Sequence, residues 1–108
     1  MSPSAGVTAA VDTDGARGLL VLSGDVDISA EQDVLASARS LLKIGTIRRL
    51  VLDLANVTFI DSFGVGIVIK VFVMAQDSGR SAALRNPSEV AAAVLKIAGV
   101  EQLFELEP

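Results

Sequence analysis

Between Arg49 and Arg85 a long apolar segment lies between two short apolar runs, and no other feature limits the fold as much. The runs are Arg49–Leu54, which contains Leu50-Val51-Leu52, and Ser81–Arg85; each has strand length. The segment between them, Ser62–Asp77, is ambiguous on propensity. Val65, Ile67, Val68, Ile69, Val71 and Val73 are β-branched and favour strand. Length decides for helix, because sixteen residues is far beyond the ~5–6 of a usual strand. Ser62 offers an N-cap and Gly79 a C-terminal stop. Strand, helix and strand in that order predict two parallel strands joined by a right-handed crossover. Apart from Lys70 and Gln76 the helix is apolar nearly all round, so the fold must wrap it or a partner must cover part of it.

The flanking chain extends the pattern. Val7, Ala9 and Val11 alternate with small or polar residues and predict a half-buried strand. Asp12-Thr13-Asp14-Gly15 is a turn, since Asp and Gly tolerate its backbone angles. Gly18–Ser23 carries Leu19-Leu20-Val21-Leu22, which reads as a strand buried on both faces. These two strands should form a hairpin. A helix follows, capped by Ser29 with Gln32 reaching back, and Val34, Leu35, Ala38, Leu41 and Leu42 share one face before Gly45 stops it. Ala55–Asp61 reads as a connecting segment. Asn86 should cap a third helix with Pro87 in its first position, a buried stripe of Val90, Val94, Leu95 and Ala98, and a stop at Gly99. Leu103–Leu106 is a last strand. The fold class is therefore α/β: a single domain, residues 1–108, with a mixed sheet of about five strands. An antiparallel hairpin opens it, and about three to four helices pack it.

Composition removes most chemistry. The 108 residues include no His and no Cys, so a Ser-His-Asp triad, a thiol nucleophile, a disulfide framework and a His/Cys metal site are all excluded. An apolar share of 51% leaves ample surface for a core and excludes disorder. The net charge of -4 and the scarcity of aromatics, 4% with no Trp or Tyr, argue against a nucleic-acid partner. Met1–Gly6 has neither the basic residue nor the apolar stretch of a signal peptide. The longest apolar run, Phe63–Ala75, contains Lys70 and falls short of the ~20 residues a bilayer requires. A cytoplasmic protein that makes no membrane contact is expected.

Sites in open α/β sheets gather at the carboxyl ends of parallel strands. Asp25 and Asp27 follow the second strand; Asp53 and Asn56 follow the third; Asp61-Ser62 opens the apolar helix, with Gly64 and Gly66 close behind. Taken singly, Ser62 reads as a helix cap, the glycines as close-packing positions and the aspartates as solvated turn residues. Two of these carboxylates could serve as acid and base, yet no sugar-stacking aromatic accompanies them. Gly64-Val65-Gly66 lacks the third glycine of a dinucleotide fingerprint, because Ile69 stands in its place, and there is no Walker pattern. No catalytic residue, metal ligand or cofactor is expected, and a hydrolytic or nucleotide-binding domain is the weakest reading.

Three segments add a resemblance. Asp53-Leu54-Ala55-Asn56-Val57-Thr58-Phe59-Ile60-Asp61-Ser62-Phe63-Gly64-Val65-Gly66 resembles the signature of anti-sigma factor antagonists of the STAS domain family, a DLSxVxFIDSSGLG-like stretch that carries a regulatory serine. Gly24-Asp25-Val26-Asp27-Ile28 resembles the family's GELDL turn, and Gly99–Phe104 its GLxxLF approach to the last strand. The resemblance implies a non-enzymatic partner switch. The unphosphorylated protein would bind an anti-sigma factor that is also a Ser/Thr kinase and so free a sigma factor. Phosphorylation of Ser62 would release it, and a phosphatase would reset it. Asp25, Asp27, Asp61, Ser62, Phe63, Gly64 and Gly66 would form the partner-binding site. A STAS module of a transporter or of a stress-signalling complex is the alternative within the same fold.

Two departures from the family pattern bear on this. Phe63 stands where a small residue is usual, either as a packing hydrophobe or as an anchor at the partner face. The family commonly adds a final helix after the last strand, where this sequence reaches Pro108; the face such a helix covers would be exposed or used for self-association. A monomer or weak dimer is expected.

Overall fold

The structure, a computed structural model, describes residues 6–107. Strands β1 (Gly6–Val11) and β2 (Arg17–Val26) form the antiparallel hairpin. Strands β3 (Arg49–Ile60), β4 (Ser81–Arg85) and β5 (Glu105–Glu107) then add in parallel, giving the sheet order β1-β2-β3-β4-β5. Helices α1 (Glu31–Leu42), α2 (Ser62–Asp77) and α3 (Glu89–Ile97) lie in the crossovers, with short 3-10 turns at Ile28–Ala30 and Val100–Leu103. The predicted α/β class, opening hairpin and sixteen-residue helix are all present.

The helices share one face of the sheet. Leu20, Leu22, Leu50, Leu52, Leu54 and Leu84 meet Val34, Ala38 and Leu41 of α1, Ile67, Val68, Val71 and Ala75 of α2, and Ala91 and Leu95 of α3 in one buried cluster. Successive strand residues point to opposite faces, so Arg17, Leu19, Arg49, Val51, Ala83, Glu105 and Glu107 lie on the other side. There Glu107 accepts from Arg17 Nη1 at 2.9 Å and from Arg49 Nη1 at 3.2 Å, and Arg49 also pairs with Glu105. An ionic layer thus spans the face that no helix of the described residues covers.

Several sequence expectations need correction. Strand β3 runs on through Ala55–Ile60, so that stretch is strand and not a connector. Its pairing with β2 shifts register between Val21 and Ser23 and again between Gly24 and Asp25; these irregularities break the simple alternation that marks a strand in sequence. Leu19 and Val21 are half-exposed, because the second face of β2 has no helical cover. In β1 only Val7 is partly buried, since β1 is the edge strand. Helix α1 begins at Glu31 without a side-chain cap, because Asp27 captures both the amide (3.0 Å) and the hydroxyl (2.5 Å) of Ser29. Helix α3 is capped by Ser88, whose Oγ accepts from Ala91 N at 3.1 Å, while Asn86 adopts a left-handed φ of 48° in the preceding turn. Its buried stripe is Ala91 and Leu95, which leaves Val90 and Ala98 exposed. The last turn is helical through Leu103, so β5 starts only at Glu105.

Candidate functional site

At the carboxyl end of the sheet, β2 and β3 finish together. Asp25 stands opposite Phe59, and Val26 opposite Ile60. Asp61 continues β3 in extended geometry, with φ -109° and ψ -172°, and its amide reaches Val26 O at 3.4 Å. From there its carboxylate turns back onto α2, and Oδ1 accepts from Gly64 N at 2.9 Å. Asp61 is therefore the N-cap, and Ser62 is the first helical residue rather than the cap expected of it. An ionised acceptor at a helix start is favoured by charge-assisted hydrogen bonding and by the helix dipole. The displaced hydroxyl of Ser62 has no capping role and sits on an exposed residue.

The two glycines have separate duties. Gly64 is buried, and a Cβ on it would lie 2.1 Å from Val26 O and 2.7 Å from Ile60 Cγ1. Only glycine lets the first turn of α2 seat on the last residue of β2. A Cβ on Gly66 would meet open space. Gly64 thus sets where Ser62 stands, and Gly66 leaves the helix surface low beside it.

The aspartates also separate. Asp25 lies within β2, where its carboxylate accepts from Thr58 Oγ1 at 3.3 Å. Asp27 caps the 3-10 turn, and its two hydrogen bonds from Ser29, the hydroxyl first, hold its carboxyl below the usual range. Asp53 and Asn56, placed after the third strand by the sequence, are mid-strand in β3; Asp53 faces Arg85 at 3.6 Å. Asp25, Asp27 and Asp61 thus border the exposed start of α2.

Apolar side chains complete this end. Phe63 is 59% exposed, and Ile28 and Phe59 stand out from the neighbouring strand ends. A cleft of about 310 Å³ opens between the start of α2 and the second half of α3, lined by Asp61, Ser62, Val65, Val94, Ile97 and Ala98. Ile97 is 88% exposed. Sequence reasoning missed this wall, because an apolar residue in a short helix reads as core unless the helix rotation is known. Among the described residues no cluster of acidic side chains is arranged to hold a metal ion, and no helix is long and apolar enough to cross a membrane.

A hydroxyl at a helix start beside a sheet end does not by itself mark one family, and comparison with known proteins decides it. The STAS domain profile matches residues 8–108. The chain belongs to the STAS domain family. A STAS-domain containing protein of Pseudomonas aeruginosa (strain UCBPP-PA14) is 32% identical over 100 residues, covering 93% of this chain and 97% of that one. Among solved structures, the anti-sigma factor antagonist SpoIIAA of Bacillus in its unphosphorylated form superposes with a TM-score of 0.77 at 19% identity, over 95% of this chain and 89% of that one. Its phosphorylated form gives 0.71 over 95% and 92%, also at 19% identity. The structure of SLC26A9 matches with a TM-score of 0.60 at 18% identity, over 86% of this chain but 18% of that chain. At these identities the likeness is one of fold.

Proposed function

We propose that this STAS domain is an anti-sigma factor antagonist whose Ser62 is its phosphorylation switch. The observation that carries the reading is the division of roles at the start of α2: Asp61 caps the helix, and Ser62 is exposed with its hydroxyl free of that duty. A hydroxyl not needed by the fold is open to a kinase, and its modification need not unfold the domain. Phosphate adds about -1.5 to -2 charges at neutral pH, and a helix N-terminus favours an anion by about 0.3–1 kcal/mol. The fold accepts the charge while a docked partner does not, because the phosphate joins Asp25, Asp27 and Asp61 beside an apolar surface that must be desolvated.

In this reading Phe63 is the exposed anchor, Asp25, Asp27 and Asp61 supply the acidic rim, Gly64 sets where Ser62 stands, and Gly66 keeps the approach to it low. The partner is an anti-sigma factor with Ser/Thr kinase activity, and a phosphatase restores binding. The domain itself is a non-enzymatic, cytoplasmic regulator of transcription. Titration against the purified kinase partner, with a parallel run in ATP and Mg²⁺, tests this. Wild type binds and is released as Ser62 gains phosphate; Ser62→Ala binds and is never released; Ser62→Asp binds weakly. Equal binding by the two variants, with no phosphate on wild type, refutes the switch. The fold likeness to SLC26A9 supports a second reading, a STAS module within a transporter, which absence of any kinase partner would favour.

A further inference from the structure

We infer that the free edge of β1 is a self-association surface, through which two copies of this chain join antiparallel into one ten-stranded sheet. The two edges of the five-stranded sheet are treated differently. Strand β5 is short and charged, Glu105-Leu106-Glu107, with both glutamates drawn into ion pairs. Short length and charge are the usual means of blunting an edge. Strand β1, Gly6-Val7-Thr8-Ala9-Ala10-Val11, has twice that length and carries no charge and no proline. All of it except Val7 is exposed, and among the described residues no strand lies beyond it.

The direction of its peptide groups follows from the hairpin. Asp12 N donates to Arg17 O at 3.1 Å, so the amide of Asp12 faces β2. Peptide groups alternate sides along a strand, and register pairs Val11 with Gly18, Ala9 with Leu20 and Val7 with Leu22. The N–H and C=O of Val7, Ala9 and Val11 therefore point away from the sheet. A two-fold axis through Ala9 pairs Ala9 with its own copy, Val7 with the partner's Val11, and Val11 with the partner's Val7. Each pair exchanges two backbone hydrogen bonds. Val7, Ala9 and Val11 also project to one face, so the valines meet across the seam as apolar cross-strand pairs. Such an isologous contact closes at two copies, and it fits a second copy of this uncharged strand better than a charged peptide. The two Ser62 ends then point in opposite directions, which keeps the proposed switch clear of the seam.

Sedimentation velocity between about 10 µM and 1 mM tests the contact, in the range expected of a small interface. Wild type should rise with concentration from 11.2 kDa toward twice that mass. Ala9→Pro removes only an outward N–H, which an edge strand tolerates, so it should keep the wild-type Tm and lose association about tenfold or more. Ala10→Pro removes a ladder bond to β2 and should lower Tm. Should Ala9→Pro fail to fold, Ala9→Lys places two cations face to face on the two-fold axis and should also remain monomeric. A wild type that stays at 11.2 kDa throughout overturns the inference, as does an association that both Ala9 variants leave unchanged.

Discussion

Gly64 and Gly66 invite the same substitution with opposite results. Alanine at Gly64 places a Cβ 2.1 Å from Val26 O, 3.0 Å from Val26 C and 2.7 Å from Ile60 Cγ1. An ordinary carbon–oxygen contact is about 3.3 Å or more, so α2 must withdraw by about 1.2 Å. The neighbour is backbone and cannot rotate away, and Val26 O also accepts from Asp61 N. Overpacking of this kind costs about 3 kcal/mol, at the upper end of the usual range. The better helix propensity of alanine returns about 1 kcal/mol. The net loss is about 2 kcal/mol, a fall in Tm of roughly 8–16 °C for a domain of this size. At Gly66 the Cβ meets nothing, so only the propensity gain remains. Gly66→Ala should therefore gain about 0.5–1 kcal/mol and raise Tm by roughly 2–8 °C. Differential scanning calorimetry on both variants is the assay. If Gly64→Ala melts at or above wild type, the close seating of α2 on β2 is wrong. If Gly66→Ala is destabilised, its surface is not open.

Three more outcomes follow from the site and the hairpin. Asp61→Ala should lose about 1 kcal/mol of stability with the cap, whereas Ser62→Ala should stay within about 0.5 kcal/mol; thermal unfolding that ranks them the other way would return the capping role to Ser62. Phe63→Ser should leave Tm nearly unchanged, because the residue is 59% exposed, and weaken binding to the kinase partner about tenfold; unchanged affinity would make Phe63 incidental. Asp12 is held at about 2, first by its hydrogen bond from Arg17. A carboxyl whose folded pKa is depressed contributes stability above its unfolded value near 3.9, and that contribution disappears as pH falls from there to about 2. Acid unfolding of Asp12→Asn should accordingly be less steep than wild type in that window, and an NMR titration of Asp12 with a midpoint near 4 would refute the pairing.

Local patterning in the chain was enough to set the class of fold. The sixteen-residue apolar helix, the opening hairpin and the alternation after it all follow from the lengths of the apolar runs and from the turn and capping residues between them, because these act within a few residues of one another. The motif around Asp61-Ser62 was legible for the same reason. The tertiary structure alone decided which neighbour does which job. Asp61, Asp27 and Ser88 cap their elements where Ser62, Ser29 and Asn86 offered equivalent chemistry, since the choice depends on how the incoming chain is aimed. Gly64 is indispensable only because β2 ends beneath it, and nothing in the sequence marks it apart from Gly66. The extra length of β3 and the exposed Ile97 wall of the cleft depend on register and on helix rotation. Both are fixed by long-range packing, where a shift of one residue exchanges the buried face for the exposed one.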